Sequence, residues 1–202
     1  MDTAYSRHGA PPERDFARAQ VAIDECLQGD VRAWRELHAH FLPVAGAFLR
    51  KLGVRESELE DATQEVFLQL FRYLPRFRRE AELSTWLYRL CITQARHARR
   101  RARVNEALSR ILPFLPTPNL VSTPSLPEHV ARARIEQALA QLSEGERTVF
   151  VLYEMEGVSG KEIAQITEIP EASVWRRLHY ARKRVRVALG DHGDDEPAAE
   201  AV

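Results

Sequence analysis

The residues of this chain best suited to binding chemistry are cations near its C-terminal end. Six Arg or Lys residues and no Asp or Glu lie between Ala172 and Arg186. The helical spacing of the apolar residues in this stretch leaves most of the cations on the opposite face. Such a face binds polyanions, so nucleic acid is the expected partner. The alternative is a basic helix that is merely solvated.

A short predicted helix and a turn precede the basic helix. Ser159 and Glu162 have the spacing of a capping box, which predicts a helix start. Pro170 cannot continue a helix and disfavours helical geometry in the residue before it. The basic helix therefore begins after Pro170, and its inward face is formed by Val174, Leu178 and Ala181. This order predicts a helix-turn-helix, which a merely solvated helix would not need.

The net charge is zero, with 29 Lys plus Arg against 29 Asp plus Glu, so the overall charge says nothing about nucleic acid. Its distribution is more informative. Residues 94–110 hold six arginines against Glu106 alone, whereas residues 55–65 hold five acids against Arg55 alone. The sequence therefore predicts separate basic and acidic surfaces.

Several classes of protein and site are disfavoured. The chain has no P-loop, no GxGxxG, no GxSxG and no paired Cys or His at metal-ligand spacing, so we expect no enzyme, no cofactor and no metal. Cys26 and Cys91 match no disulfide framework and are expected to be buried free thiols. No stretch approaches the ~18 apolar residues of a membrane span, and no signal peptide is evident. A cytoplasmic protein without membrane insertion is predicted.

The predicted fold is all-α, with two small helical domains joined by a Pro-rich linker and the helix-turn-helix in the second domain. The predicted parts are a disordered N-terminus over 1–15, a first domain over 16–103, a linker over 104–131, a second domain over 132–189 and an acidic tail over 190–202. The linker holds five prolines, too many for a packed helix. The tail either solubilises the chain or folds back on the basic helix.

Four helices are predicted in the first domain. The first covers 16–27, and the second is capped by Asp30 and bent or interrupted at Pro43. The third is capped by Ser57, and the fourth by Ser84 or Thr85. The inward stripe of the third helix is formed by Leu59, Ala62, Val66, Phe67, Leu70 and Leu74.

Six strings of residues together resemble the bacterial extracytoplasmic-function (ECF) sigma factors of the sigma-70 family. They are DATQEVFLQLF from Asp61, Phe77, STWLYRL from Ser84, LSEGER from Leu142, EIA from Glu162 and SVWRRLHYARKR from Ser173. Each string is a weak signal alone. Their order along both predicted domains makes the combined signal strong.

The resemblance implies that the first domain binds core RNA polymerase through the clamp helices of its largest subunit. The matching positions here are Asp61, Gln64 and Glu65, which lie off the apolar stripe and offer acidic and amide groups to a basic partner. The alternative is that they are ordinary first-turn acids favoured by the helix dipole. The flap of the second-largest subunit and an anti-sigma factor are further partners that the resemblance implies, with location at the nucleoid in the holoenzyme.

The resemblance also implies that the first domain captures the melted minus-ten promoter strand. The matching residues are Phe77, Arg78, Arg79, Arg89, Arg96, Arg99, Arg100 and Arg103. An unstacked base must be held in a pocket and its strand on cations for melting to be favourable. Trp86 is either a core anchor, which its position on the apolar face favours, or a base-stacking residue.

For the helix-turn-helix, the resemblance implies binding of the minus-thirty-five duplex. The matching residues are Ser173, Trp175, Arg176, Arg177, His179, Arg182, Lys183 and Arg184. Trp175 stands where the family commonly has Lys, and either contacts a thymine methyl or sugar or packs against a partner domain. Arg176 and Arg177 either read guanine or grip phosphates. Thr93 and His97 replace a common Asn and Asp, so the promoter sequence cannot be inferred.

The predicted linker is long enough for a reader of two separated DNA elements. Its 28 residues span up to about 90 Å at about 3.3 Å each. Elements two and a half helical turns apart lie about 85 Å from each other. A repressor or response-regulator output module would explain the helix-turn-helix, but not the acidic helix or the first arginine cluster.

Overall fold

A computed structural model of the chain describes residues 23–76, 83–111 and 127–190. Every regular element in these ranges is helical, which confirms the all-α prediction. After a helical segment over 23–27, the first domain consists of α1 (Val31–Lys51), α2 (Glu56–Tyr73), a 3-10 turn (Leu74–Arg76) and α3 (Leu83–Ile111). The second consists of α4 (Pro127–Ala140), α5 (Glu144–Phe150) with a π-helical turn (Val151–Met155), α6 (Gly160–Thr167) and α7 (Glu171–Leu189).

The core of the first domain lies where α1, α2 and α3 meet. Phe48 from α1, Leu70 from α2 and Leu87 from α3 are all at least 98% buried there. All six residues of the stripe predicted for α2 are buried, because each recurs at helical spacing on the same side. Cys26 and Cys91 are buried free thiols, as predicted.

The core of the second domain is organised around α7, which packs against α4, α5 and α6. Val174, Leu178 and Ala181 are its buried residues, as the sequence predicts. They meet Ile163 from α6 and Leu152 from the π-helical turn in the same buried cluster. The basic face of α7 is therefore held outward by the burial of the opposite face.

Two predicted helix caps are wrong. The helix predicted to be capped by Ser57 begins at Glu56, and its N-cap residue Arg55 makes no side-chain capping bond. In place of a capping side chain, the acids Glu56 and Glu58 in the first turn of α2 interact favourably with the helix dipole. The helix predicted to be capped by Ser84 or Thr85 already includes Leu83, whose buried side chain belongs to the core.

Pro43 lies inside α1 without interrupting it. The side chain is exposed, so the carbonyl that loses its helical partner can bond to water. The Asp30 cap of α1 is confirmed, since its carboxylate accepts from the backbone of Arg32 at 2.7 Å.

The predicted linker is helical at both ends. Its first residues extend α3 to Ile111, and its last residues begin α4 at Pro127. Proline is favoured at the first position of a helix, where its missing N–H has no partner to lose. The other four linker prolines, the start of the helix predicted over 16–27, and the acidic tail lie outside the described residues.

The two domains pack against each other, most closely through α3 and α6. The sequence did not predict this contact. In the described residues, no helix is both long and apolar enough to cross a lipid bilayer.

Replacing Leu70 by Ala should lower the free energy of unfolding by about 2–5 kcal/mol, because the side chain is fully buried and would leave a cavity. Leu68→Ala is the matched control on the same helix. Leu68 is 59% exposed, so its loss should change stability by only about 0.5 kcal/mol. Urea unfolding followed by circular dichroism measures both. Equal losses for the two variants would contradict the described orientation of α2.

Candidate nucleic-acid and protein interfaces

The helix-turn-helix is built by local capping at both of its helices. The backbone N–H of Glu162 donates to the Ser159 hydroxyl at 3.3 Å, and the Ser159 N–H donates to the Glu162 carboxylate at 3.0 Å. This reciprocal pair confirms the predicted capping box. Helix α6 ends where Glu168 adopts a left-handed conformation with φ of 56°, and α7 follows directly after Pro170.

Six of the eight residues predicted to bind duplex DNA lie on the outer side of α7. Ser173 and Arg177 are half-buried, whereas the others are exposed: Trp175, Arg176, His179, Arg182, Lys183 and Arg184. The α7 helix thus presents a contiguous face of donors and cations to the surroundings. Such a face can grip phosphates and reach base edges.

Two of the cations on α7 already have partners inside the second domain. Arg182 pairs with Glu154 at 2.6 Å and lies over the ring of Tyr153 at 5.3 Å. Arg184 pairs with Glu146 at 3.0 Å. Burial opposes ionisation of Glu146, but hydrogen bonds with Ser143 and the charge of Arg184 outweigh it and lower the pKa of this carboxyl.

Ser143 and Glu146 form a second capping box, at the start of α5. Sequence reasoning missed this pair, although it has the same S-x-x-E signature as Ser159 and Glu162. The box fixes the first turn of α5, from which Glu144 projects toward the other domain.

Trp175 packs within its own helix-turn-helix. Its ring lies edge-on to Tyr153 with centroids 5.4 Å apart, and its indole N–H donates to Glu171 at 3.2 Å. A Cβ on Gly160 would come within 2.5 Å of the indole ring, so only glycine fits at this first position of α6. The side chain is nevertheless 42% exposed, which leaves one edge available for contact.

The three residues predicted to bind polymerase line one groove between α2 and α3. Asp61, Gln64 and Glu65 form its acidic wall together with the exposed Leu68, and the groove encloses about 800 Å³. The opposite wall carries His97, Arg100 and Arg101. Because α2 begins at Glu56, Asp61 lies beyond the first turn of the helix. The helix dipole favours acids mainly within that first turn. The first-turn alternative therefore does not account for it.

The arginines predicted to hold melted DNA separate into two groups. Arg100 faces the α2–α3 groove, and Arg103 is exposed further along α3. In contrast, Arg89, Arg96 and Arg99 contact the second domain. Phe77, Arg78 and Arg79 lie outside the described residues. Trp86 is half-buried and packs against the core, as expected for a core anchor.

Several contacts between the domains are charged, and buried apolar residues of both domains form one continuous cluster. Arg96 pairs with Glu144 at 2.9 Å, Arg99 reaches the same carboxylate at 3.5 Å, and Arg89 donates to the backbone carbonyl of Gln165. Glu156 accepts from Lys51 at 2.7 Å and from the Tyr88 hydroxyl at 3.1 Å. None of these pairs has a sequence signal, because the partners lie at least 45 residues apart.

No group of three or more His, Cys, Asp or Glu residues that could hold a metal ion occurs in the described ranges. Burial raises the pKa of the Cys26 thiol to about 11, and burial also raises the pKa of the Cys91 thiol. Both thiols are therefore poor nucleophiles and poor ligands near neutral pH.

Comparison with known proteins finds two family matches in the same order as the two domains. Residues 37–104 match Sigma-70 region 2, and residues 132–185 match Sigma-70, region 4. The RNA polymerase sigma-H factor of Pseudomonas aeruginosa is 28% identical over 179 residues, covering 84% of this chain and 93% of that protein. The ECF RNA polymerase sigma-E factor of Haemophilus influenzae is 28% identical over 180 residues, covering 82% and 92%.

Two solved structures share the fold. CnrH in complex with the cytosolic domain of CnrY has a TM-score of 0.65 at 21% identity, covering 87% of this chain and 99% of that one. The sigma factor RpoE in complex with the anti-sigma factor NepR, from Bartonella quintana, has a TM-score of 0.65 at 20% identity, covering 80% and 99%.

Replacing Gly160 by Ala should displace the Trp175 ring, because the new methyl group would overlap it. We expect a change in tryptophan fluorescence and a loss of about 1–3 kcal/mol in stability. Gly46→Ala is the control, since nothing lies within 4 Å of its added Cβ. An unchanged emission spectrum in the Gly160 variant would contradict the described packing of Trp175.

Proposed function

Because the chain belongs to the sigma-70 family and resembles its extracytoplasmic-function members along most of its length, we propose that it reads promoters in two parts. As an RNA polymerase sigma factor it acts in transcription initiation. The proposal is that its first domain docks on core polymerase and captures the melted minus-ten strand, while its helix-turn-helix binds the minus-thirty-five duplex. The chain contributes binding and positioning to this process rather than bond chemistry.

The observation that carries the proposal is the pairing of two different polar surfaces on separate domains. An acidic groove wall of Asp61, Gln64 and Glu65 lies on α2, and a basic outer face lies on α7. Acidic groups favour a basic protein surface, whereas the cations favour phosphates. A repressor or response-regulator output module would need only the second of these surfaces.

The acidic wall of this groove, on α2, is the proposed docking site for the clamp helices of the largest polymerase subunit. Leu68 lies beside the acids and is 59% exposed, so the groove offers apolar area as well as charge. A buried apolar contact with a charged surround is the usual composition of a specific protein interface. We propose that the second domain binds the flap of the second-largest subunit, and this proposal rests on the family resemblance alone.

The first domain would hold the melted strand on the arginines of α3. Arg89, Arg96 and Arg99 lie along α3 at spacings of seven and three residues, which places them on one side of the helix about two turns and one turn apart. A row of cations of this kind follows a phosphate backbone. Phe77, Arg78 and Arg79 remain assigned to base capture by resemblance.

The helix-turn-helix would insert the front of α7 in the major groove. Residues in the first turns of a recognition helix reach base edges, and later residues approach the backbone as the helix leaves the groove. Arg176 and Arg177 therefore take the reading positions, with the exposed edge of Trp175 beside them. Arg182, Lys183 and Arg184 would grip phosphates.

Regulation by an anti-sigma factor also belongs to the proposal. Both solved structures compared above are complexes, one of CnrH with the cytosolic domain of CnrY and one of the sigma factor RpoE with the anti-sigma factor NepR. Because the fold is shared, a protein of this class is a reasonable partner to seek for this chain. Co-purification from the native cell would identify it.

Charge reversal in the groove should weaken assembly with core polymerase. We expect Asp61→Lys or Glu65→Lys to lower the affinity by about 10-fold, or ~1.4 kcal/mol, since a favourable charge becomes a repulsive one. Fluorescence anisotropy of the labelled chain with core enzyme measures this. Glu56→Lys is the control, because Glu56 pairs with Arg50 in an exposed bridge outside the groove. Full affinity in the Asp61 and Glu65 variants would remove the docking assignment.

Reading and gripping should be separable along α7. Arg176→Ala should cost about 1–3 kcal/mol at one promoter position and relax selectivity there. Arg182→Ala should weaken binding to all duplexes alike and reduce the salt slope by about 0.9. Transcription from a randomised upstream element, with duplex binding at several salt concentrations, distinguishes the two. The placement of α7 is wrong if Arg182→Ala shifts the preferred sequence and Arg176→Ala does not.

A further inference from the structure

Glu146 is a buried acid to which the proposed function gives no task. It is 9% exposed and lies at the third position of α5, where its carboxylate accepts from the backbone N–H of Ser143 at 2.9 Å. A carboxylate loses hydration when it is buried, and only hydrogen bonds and opposite charges can offset that loss. Ser143 supplies hydrogen bonds but no charge, so the cations must come from another helix.

Two arginines of α7 supply the opposite charge. The Nη1 of Arg184 donates to the Glu146 carboxylate at 3.0 Å. Although burial opposes it, the Ser143 hydrogen bonds and the charges of Arg184 and Arg177 together lower the pKa of Glu146, which stays ionised near neutral pH. Arg177 and Arg184 are seven residues apart and lie on the side of α7 that carries the fully buried Ala181. The side chain of Arg184 is 52% exposed, so its other donors remain available to phosphate.

The guanidinium of Arg177 lies across the backbone of Gly145, the second residue of α5. A Cβ on Gly145 would lie 2.8 Å from its Nη1, 3.1 Å from its Cζ and 3.3 Å from its Nε. Arg177 is therefore half-buried, whereas Arg176, beside it in the sequence, is exposed. Consecutive residues of a helix point about 100° apart, so the contact of Arg177 with α5 directs Arg176 away from the domain.

The first turns of α7 are held from α6 as well. The Trp175 ring packs on Gly160 so closely that a Cβ there would come within 2.5 Å of it. One side chain of α7 thus lies on a glycine of α5, and another lies on a glycine of α6. Together the two contacts fix the rotation of α7 about its own axis, and this rotation determines where Arg176 points.

From these contacts we infer that Glu146 and Arg177 are positioning residues for promoter selectivity, which set the rotation of α7 and direct Arg176 to its base pair. The inference rests on the proposed function and narrows it, because reading by arginine falls to Arg176 and not to Arg177. An arginine discriminates guanine by donating to O6 and N7 together. A small rotation of α7 would break that geometry, while contacts with phosphates, which carry no sequence information, would tolerate it.

Glu146→Gln is the variant that tests the inference. A capping box accepts Gln in place of Glu, so the start of α5 is kept and only the charge beside the arginines is lost. Glu162→Gln is the matched control, because it makes the same change in the capping box of α6, where the exposed Glu162 bonds to Ser159. Arg177→Met removes the charge from the other partner and keeps an unbranched apolar stem.

The measurement is transcription by core polymerase with each full chain, from promoters that match or mismatch at the position where Arg176→Ala relaxes selectivity. The readout is the ratio of matched to mismatched output, since a smaller folded fraction lowers both outputs alike. We expect the ratio to fall about 5-fold in Glu146→Gln and in Arg177→Met, and to stay at the wild-type value in Glu162→Gln. The double variant of Glu146 and Arg177 should be no worse than either single variant, because both changes remove one contact.

Three results would overturn the inference. They are a wild-type ratio in Glu146→Gln, fully additive losses in the double variant, and a loss of preference in Arg177→Met at a position that Glu146→Gln leaves intact. The last of these would make Arg177 a direct reader. If the wild-type chain directs no transcription, or if Arg176→Ala leaves its selectivity unchanged, the proposed function fails instead, and the inference falls with it.

Discussion

Charge compensation in a chain of zero net charge is the constraint on which this structure depends. Cations that bind nucleic acid must lie at the protein surface, where neighbouring cations repel one another. Acids of the second domain lie beside several of them: Glu144 beside Arg96, Glu154 beside Arg182, and Glu146 beside Arg184. Exposed pairs of this kind contribute only about 0–1 kcal/mol each. Such pairs can therefore favour one arrangement of the helices and domains without making it irreversible.

The sequence predicts the elements well where one side of a helix must be buried. The stripe of α2 and the buried face of α7 follow from apolar spacing alone, as does the capping box of Ser159 and Glu162. The boundaries are less predictable, because several residues satisfy the same local rule. Ser57 and Ser84 are good caps in isolation, but first-turn acids in α2 and the burial of Leu83 in α3 shift both helix starts.

The site is predictable in its residue types and not in its long-range partners. Off-stripe spacing places Asp61, Gln64 and Glu65 on the surface, but only the fold reveals that His97, Arg100 and Arg101 face them across one groove. Likewise the cations of α3 are evident from the composition of that segment. Their hydrogen-bond acceptors lie in the second domain, far away in the sequence, so local patterns do not predict the pairing. The packing of Trp175 on Gly160 depends on a missing side chain in another helix, which no periodicity records.

The most direct test of the account is transcription by sigma-free core polymerase supplemented with the purified chain, on genomic DNA, with the 5′ ends of the transcripts mapped. The account predicts new transcripts whose start sites share two upstream elements at a fixed separation of about two and a half helical turns. Binding of the chain to duplex DNA without any new start site, and without association with core polymerase, would contradict it.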